Sequence, residues 1–263
     1  MLKLTTRSIL EITGSDRKKF LQGLITNDVN KATEKNLIYS AMLNAQGRFL
    51  YDFFIFEIGE KLILDCFSLR RDEIFQKLNF YKLRAKVEIK KNDEIGIFWN
   101  KEIVENCDFK FTDPRNSKIG YRLYKASTQA ALQQEDEYNF LRIENKIPES
   151  EQDLTYEKSF ILEFGFDDLN AIDYQKGCYI GQELTARTHH TGQIRKKIFH
   201  IKISDSKAIQ KNSEISCEGK SVGLVLSSIF FNSELHALAL LKLPEAGDFE
   251  NLTVENKKIF IID

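Results

Sequence analysis

Apolar positions in the first third of the chain follow first the spacing of a helix and then the spacing of strands. Phe20, Leu21, Leu24 and Ile25 fall on one helical face, and Ser15 before them can cap the helix. Three strands, a helix that begins at residue 68 and a fourth strand are predicted next, with the strands at residues 37–43, 49–58, 61–67 and 86–89. This β-β-β-α-β order predicts a mixed α+β fold and differs from the regular strand–helix alternation of dinucleotide-binding domains.

The last part of the chain has a different pattern. After two further predicted helices, at residues 135–145 and 182–188, the chain consists of short β-rich runs at residues 195–204, 214–217, 221–230, 236–241 and 257–262. Several short strands at the end of a chain are typical of a small antiparallel barrel or sandwich. We therefore predict two domains. Residues 1–192 form the first, built of two interleaved α+β subdomains, and residues 193–263 form a small β-barrel domain.

Composition and charge narrow the functional classes. The 263 residues are 42% hydrophobic and 29% charged, as in an ordinary folded protein, and the net charge of −1 gives no support for non-specific binding of nucleic acid. No apolar run is long enough for a signal peptide or a membrane span. The four cysteines lie far apart without a CxxC pair, so neither a metal site nor a disulfide framework is predicted. These features lead us to expect a cytoplasmic protein with reduced thiols.

One carboxylate stands out in the second predicted strand. Asp52 shares a strand face with Leu50 and Phe54, and the opposite face carries Tyr51 and Phe53. A strand that is apolar on both faces is expected to be buried, so the Asp52 carboxylate must be paired, hydrogen-bonded or protonated. A purely structural ion pair satisfies this requirement as well as a catalytic role does.

A cysteine between two glycines is the second candidate for chemistry. Gly177 and Gly181 allow unusual backbone angles on either side of Cys178. Lys176 and the start of the following helix would both favour the thiolate form of Cys178. The alternative is a tight loop that holds an inert, buried cysteine.

Several charged residues are weaker candidates for ligand binding. Glu144, near a predicted helix end beside Arg142, can accept two N–H bonds from an amidine-like edge such as that of a pterin, or can simply be an exposed helix charge. Arg187 and the run at residues 195–197 can bind a carboxylate tail or RNA phosphates, although such runs are usually solvated.

A long motif around the cysteine resembles a known family. The sequence from Lys176 to Glu183, KGCYIGQE, is similar to the KGCYxGQE signature of the YgfZ family, a group of folate-binding relatives of the glycine-cleavage T-protein. Other segments resemble the superfamily over nearly the whole chain. They are the FLQGLITNDV segment at residues 20–29, the LNAQGRFLYD hairpin at residues 43–52, the LRIE segment at residues 141–144 and the β-rich tail.

The resemblance implies a T-protein-like fold arranged around a folate-binding opening, and tetrahydrofolate as the cofactor. Asp52 then matches the catalytic or folate-contacting aspartate, and Glu144 matches a pterin-contacting glutamate, with Glu163 as a weaker candidate. We expect Cys178 to be a reactive thiol. The full set of residues expected at the cofactor is Asp52, Glu144, Arg142, Glu163, Lys176, Tyr179 and Arg187.

Three hypotheses about function follow. The first, favoured by the intact cysteine signature and the short chain, is a folate-dependent accessory protein that assembles or repairs iron–sulfur clusters in client enzymes, including enzymes that modify tRNA. The second is a folate-dependent one-carbon transferase, an aminomethyltransferase of the glycine-cleavage type that uses Asp52. The third, an RNA-binding module that uses Arg187 and residues 195–197, is the weakest because the net charge is near zero.

Overall fold

The computed structural model describes residues 1–105, 107–127, 135–192, 194–204, 209–243, 249 and 251–262. Within these residues the helices are α1 (Arg17–Gln22), α2 (Arg71–Lys82), α3 (Glu135–Glu144), α4 (Ser150–Asp153) and α5 (Gln182–Thr191). The strands are β1 (Leu2–Lys3), β2 (Arg7–Thr13), β3 (Ile38–Leu43), β4 (Phe49–Ile58), β5 (Lys61–Phe67), β6 (Glu88–Asn92), β7 (Ile95–Asn100), β8 (Phe109–Thr112), β9 (Tyr121–Ala126), β10 (Lys196–Ile203), β11 (Glu214–Cys217), β12 (Lys220–Phe231), β13 (Glu234–Lys242), β14 (Leu252–Val254) and β15 (Lys257–Ile262).

The first part of the chain forms a five-stranded antiparallel sheet in the order β3-β4-β5-β2-β6. Its strand β4 is buried along most of its length because both faces are apolar. Phe54 and Phe56 belong to one core cluster, and Phe53 and Ile55 belong to another that includes residues of α1 and α2. Since side chains alternate along a strand, Asp52 lies on the same face as Phe54.

A second antiparallel sheet, in the order β1-β7-β9-β8, packs on the Asp52 face of the first. The ring of Phe56 on β4 lies 4.6 Å from that of Tyr124 on β9 and 5.0 Å from that of Phe111 on β8, measured between ring centroids. Asp52 is therefore enclosed between two sheets. The sequence patterns predicted none of the four strands of this second sheet.

The end of the chain forms a closed six-stranded barrel, in the order β10-β13-β12-β11-β14-β15. The barrel has its own apolar core and docks on α3, where Phe140 stacks on Phe231 with a centroid distance of 4.3 Å. Residue 193, the predicted start of the domain, lies outside the described residues, so the division at this position stays a prediction.

Candidate functional site

The loop before α5 presents Cys178 to solvent. The preceding Lys176 is buried, and its ammonium group donates hydrogen bonds to the carbonyl oxygens of Gln22, Ile25 and Asn27 at 2.8, 2.6 and 2.9 Å. Burial lowers the pKa of Lys176 to about 8. The structure therefore uses this ammonium to fasten the loop to the chain after α1, rather than leaving it available to a ligand.

Gly181 fastens the other end of the loop. Its φ is +82°, and a Cβ atom there would collide with the carbonyl oxygen of Asn44 and lie 2.9 Å from Cβ of Leu43. Only glycine permits both this backbone conformation and this close approach. The β3–β4 hairpin turn and the cysteine loop, two segments that each resemble the superfamily, therefore pack directly on one another.

Gly177, in contrast, has no positive φ, and a Cβ atom added there would have no neighbour within 4 Å. Neither its backbone conformation nor a close contact therefore requires glycine at this position.

Tyr179 belongs to the interior of the same loop. It is buried, its ring centroid lies 5.1 Å from Nζ of Lys176, and burial raises its pKa to about 12. At the start of the loop, the ring of Tyr174 stacks on that of His189 in α5 at 3.8 Å. Cys178 is thus an exposed thiol on a loop whose neighbouring side chains are held by the protein itself.

Asp52 is placed quite differently, because both oxygens of its carboxylate accept hydrogen bonds from the chain's own donors. Only 2% of the residue is exposed. Its Oδ1 accepts hydrogen bonds from Nη1 of Arg7 and Oγ of Ser150, both at 3.0 Å, and its Oδ2 accepts one from the hydroxyl of Tyr39 at 2.9 Å. With both oxygens bonded and the residue almost fully buried, little of this carboxylate is accessible to a ligand.

The Asp52–Arg7 pair is part of a larger ion network between the two sheets. Asp65 accepts hydrogen bonds from Nε of Arg7 at 2.6 Å and from Nη2 of Arg122 at 2.8 Å, and Arg115 is paired with Asp113 at 2.9 Å. Burial alone would raise the pKa of Asp65, but the guanidinium groups of Arg7 and Arg122 hold it below its usual value. Buried charges of this kind are tolerated because each has a partner.

The space beside Asp52 is too small for a folate. The depression lined by Asp52 and Ser150 has no room for a water molecule, and the neighbouring cavity lined by Arg7, Tyr138 and Glu149 has a volume of only about 80 Å³. Sites for small organic ligands usually measure about 300–1,000 Å³. The residues at Asp52 therefore do not fit a bound tetrahydrofolate in this structure.

Arg142 and Glu144, which are two residues apart on α3, have different environments. Arg142 is buried and binds Asp153 at 3.1 Å, Gln152 at 2.7 Å and the hydroxyl of Ser227 on the barrel at 3.1 Å. It thereby joins α3, α4 and the barrel. Glu144 is exposed at the end of α3 and lines none of the cavities found within the described residues.

Glu163 and Arg187 both line a cavity beside α5. This cavity has a volume of about 330 Å³ and is lined by Gly47, Phe160, Ile161, Leu162, Glu163, Leu184, Thr185, Arg187, Thr188, Thr191, Ile194 and Arg195. We call it the α5 cavity. Glu163 also borders a second depression of about 450 Å³, lined in part by Arg115 and Lys197. A further depression of about 830 Å³, near Lys31 and Lys35, is lined by none of the predicted site residues.

The predicted residues thus fall into separate groups. Lys176, Cys178 and Tyr179 share the loop, whereas Glu163 and Arg187 share the α5 cavity. Asp52 and Arg142 are linked only indirectly, through Ser150 and Asp153 at the two ends of α4. Asp65 was not predicted from the sequence, although it stands in an apolar strand just as Asp52 does. The arginines of the network, which lie outside any motif, were not predicted either.

No helix within the described residues has the length and apolar character needed to cross a membrane. In the same part of the chain, no group of three or more His, Cys, Asp or Glu side chains is arranged to hold a metal ion.

Comparison of the sequence with proteins of known function shows which proteins the chain is similar to. No family model matches it. The chain is 32% identical over 235 residues to the mouse protein "Iron-sulfur cluster assembly factor IBA57, mitochondrial", with 76% of this chain and 65% of the mouse protein covered. It is 30% identical over 236 residues to the human protein of the same description, with 77% and 66% covered. It is 31% identical over 237 residues to the homologue in Pyricularia oryzae, with 82% and 60% covered. The chain therefore spans less than two thirds of the length of these relatives.

A solved structure has the same fold. The glycine cleavage system aminomethyltransferase T of Bartonella henselae superposes with a TM-score of 0.76 and 12% identity, over 99% of this chain and 83% of that one. The predicted α+β fold of the T-protein type, with a C-terminal barrel, is confirmed. The expected cytoplasmic location is contradicted, because the iron–sulfur relatives are mitochondrial by name and point to the mitochondrion.

Proposed function

Because this chain is a homologue of the iron–sulfur cluster assembly factors IBA57 and has the fold of aminomethyltransferase T, we propose that it acts in iron–sulfur cluster assembly. It serves client iron–sulfur proteins, either when their clusters are first assembled or when they are repaired. The reactive group is the thiol of Cys178.

The observation that carries this proposal is the exposure of Cys178 on a fastened loop. Of the four cysteines, Cys178 is the exposed one, Cys107 and Cys217 are partly exposed, and Cys66 is buried. Burial raises the pKa of Cys66 to about 12, which makes that thiol unreactive at neutral pH. The exposed sulfur of Cys178 is in position to bind iron that a partner protein brings.

A single thiolate does not hold a cluster by itself. Clusters are usually bound by four cysteine thiolates, so the remaining ligands must come from the partner or the client. In this proposal the cluster is the cargo, and Cys178 acts during its transfer between proteins.

The finer family assignment is part of the same proposal. The intact sequence from Lys176 to Glu183 supports a YgfZ-type protein, and with it clients that include tRNA-modifying enzymes. Direct contact with RNA has little support, since it rests on Arg187 and residues 195–197 in a chain of net charge −1.

Tetrahydrofolate is proposed as a ligand of the chain on the strength of the family resemblance. The closed surroundings of Asp52 do not favour that residue as its binding site, and no chemical step is assigned to a folate there. The same closure counts against the aminomethyltransferase hypothesis, because a carboxylate held by Arg7, Ser150 and Tyr39 is not free to act on a substrate.

Complementation of a strain that lacks its own homologue tests the role of Cys178. We expect Cys178→Ser to abolish rescue of iron–sulfur enzyme activities while the protein remains folded and abundant. Cys107→Ser, which changes another thiol on the described surface, is the matched control and should restore those activities fully. Full rescue by Cys178→Ser would refute the proposed role of this thiol.

A further inference from the structure

The end of helix α2 and the turn that follows it form a strongly basic segment. Residues 77–86 read KLNFYKLRAK, with four basic side chains and no acidic one, in a chain whose net charge is −1. We call this segment the α2 tip. Its basic residues are Lys77, Lys82, Arg84 and Lys86. A local excess of positive charge attracts anionic surfaces even where the whole chain is nearly neutral.

The fold does not neutralise this charge. None of the four cations forms an ion pair within the part of the chain that the structure describes. Acidic side chains on the same helix and on the next strand are already paired, since Asp72 binds Lys91 at 2.7 Å and Glu88 binds Lys90 at 3.1 Å. The tip is therefore left with its positive charge in contact with solvent.

Two large apolar side chains project from the same tip. Leu83 is 88% exposed and Phe80 is 75% exposed. The packing of their neighbours fixes this orientation, because Leu78 is buried in the core cluster beneath α2 and Tyr81 packs against the same cluster. Neither Leu83 nor Phe80 lines any of the five cavities described above. Both are therefore available as inserting groups rather than as walls of those cavities.

The backbone at Leu83 is one that leucine rarely adopts. Its φ is +43° and its ψ is −108°, and the N–H of Ala85 donates to the carbonyl oxygen of Lys82 at 2.8 Å. These are the features of a type II′ turn with Leu83 at the first central position, where glycine is favoured. Leucine at this position has both an unfavourable backbone conformation and no core that buries it. Strained backbone of this kind is concentrated at functional sites.

The tip is anchored by the elements beneath it. Tyr81 and Ala85 pack on the core cluster that α1 and α2 share. Oδ2 of Asp16 accepts a hydrogen bond from the backbone N–H of Lys86 at 2.8 Å, and a Cβ atom on Gly14 would collide with the carbonyl oxygen of Lys86. The projecting side chains therefore stand on a fixed part of the surface.

We propose that the α2 tip binds the surface of an anionic lipid bilayer. Leu83 and Phe80 insert among the acyl chains next to the headgroups, and the four basic side chains contact lipid phosphates around them. Lysine and arginine suit this position, because their apolar stems lie in the interface while their charges stay at the headgroups. This surface uses none of the residues proposed for cluster assembly and goes beyond that function.

A bilayer fits the tip better than an acidic protein does. A protein partner would need a well-packed pocket for each projecting apolar side chain, whereas a bilayer deforms around them. Each cation near an anionic membrane strengthens binding about fivefold, and this attraction requires no fixed geometry. Flexible lysine side chains meet that condition without being ordered by a partner. Vesicle binding separates the two classes of partner.

Co-sedimentation with vesicles tests the proposal. We expect the wild-type chain to bind vesicles of equal parts phosphatidylglycerol and phosphatidylcholine, and to bind pure phosphatidylcholine vesicles much more weakly. Raising the salt from about 0.1 M to about 1 M shortens the Debye length from about 10 Å to about 3 Å and should release most of the bound protein.

Paired charge variants locate the binding surface. Arg84→Gln/Lys86→Gln, which removes two charges from the tip, should bind anionic vesicles about 25-fold more weakly. Lys211→Gln/Lys220→Gln removes two exposed charges from the barrel region and should bind as the wild type does.

Leu83→Gly separates membrane binding from folding. Because glycine favours the turn at this position, the variant should unfold at a temperature no lower than that of the wild type. Its binding to anionic vesicles should nevertheless fall at least about tenfold, since the inserting side chain is gone. Ile103→Ala, which trims an exposed apolar side chain between β7 and β8, should change neither property.

Two results would overturn the proposal. Wild-type protein that fails to bind anionic vesicles would exclude the bilayer and leave an acidic protein as the partner class for the tip. Vesicle binding that persists unchanged in both Arg84→Gln/Lys86→Gln and Leu83→Gly would place the binding surface elsewhere. Neither result bears on the Cys178 complementation test, which judges the iron–sulfur role separately.

Discussion

The Asp52 region and the region around α5 make an instructive contrast. Both carry segments that resemble the same superfamily. At Asp52, each carboxylate oxygen is occupied by a donor of the chain itself, and little space remains. Around α5, Cys178 is exposed, and Glu163 and Arg187 line an open cavity without partners among the described residues. A matching motif therefore indicates which residues are present but does not indicate whether their functional atoms are available.

The two regions also differ in what their charges contribute. Between the sheets, the charged groups hold one another and rigidify the interior. Beside α5, Glu163 and Arg187 line a cavity and have no ion-pair partner among the described residues, so we expect them to contribute little to stability. The following predictions test this difference, in order of decreasing effect on the free energy of unfolding.

The largest effect is expected from breaking the buried network. Arg122→Met removes the hydrogen bond to Asp65 and leaves buried negative charge short of a partner, which should lower the free energy of unfolding by about 3–5 kcal/mol. Urea denaturation measures the loss. Arg187→Met, at the α5 cavity, is the matched change and should stay within about 0.5 kcal/mol of the wild type. If Arg122→Met and Arg187→Met lowered the free energy of unfolding equally, the buried charges would not contribute more to stability than those at the α5 cavity.

Acid is expected to have the next largest effect, through Glu149, whose Oε1 lies 3.4 Å from Nη1 of Arg115 in the buried network. Burial alone would raise the pKa of Glu149, but Arg115, Arg142 and Arg7 lower it from 4.5 to about 2. The unfolded chain therefore binds more protons in this range, so stability is fully present above about pH 4.5 and is lost as the pH falls towards 2. The loss is on the order of 3 kcal/mol, and the lowered pKa of Asp65 acts in the same direction.

Denaturation curves between pH 6 and pH 3 measure this dependence. Glu149→Gln should be less stable than the wild type at pH 6 but should lose less stability on acidification. A slope that is unchanged in Glu149→Gln would show that other groups carry the acid sensitivity.

A smaller effect is expected where the cysteine loop meets the hairpin. Gly181→Ala forces alanine to a φ of +82° and drives its Cβ into the carbonyl oxygen of Asn44. The left-handed conformation alone costs about 1–2 kcal/mol, so we expect a loss of about 2 kcal/mol. Gly177→Ala is the control in the same loop, because its Cβ would meet nothing within 4 Å. If both variants were equally stable, the loop would not be fastened at Gly181.

The smallest effect on stability is expected at the residue with the largest proposed role. Cys178→Ser changes an exposed side chain and should alter the free energy of unfolding by less than about 0.5 kcal/mol. In the native wild type, a thiol reagent should modify Cys178 first and Cys66 only after unfolding, since Cys66 is buried with a raised pKa. Mass spectrometry of the partly modified protein identifies the order.

Much of the fold could be predicted from local patterns. The strands β4 and β5, the helices α3 and α5 and five of the six barrel strands agree with the predicted segments, because each has a strong apolar period or a clear glycine boundary. The sixth barrel strand, β14, was not predicted, since it has only three residues. The second sheet could not be predicted. Its strands β1 and β8 have two and four residues, too few to show a period, and their pairing partners are distant in sequence.

The candidate site was predicted less completely than the fold. Motif and spacing drew attention to Cys178 and Asp52, and the requirement for a partner at Asp52 followed from the apolar strand around it. The sequence did not identify that partner, because Arg7 is 45 residues away from Asp52 in the chain and lies in no motif. That Glu163, Arg187 and Arg195 line the same cavity likewise depends on how α5 packs beside residues 160–163.

By itself, then, the sequence determined the local elements, the resemblance to a superfamily and the residue types that are capable of chemistry, since these depend on short-range spacing. Tertiary structure alone decided which of those residues are available. Packing the two sheets face to face drew the Asp52 carboxylate into an ion network, because a buried charge must be paired. Packing α5 against the hairpin left Cys178 in solvent and a cavity along α5, because Gly47 and Gly181 allow the backbones to touch while larger side chains line the cavity.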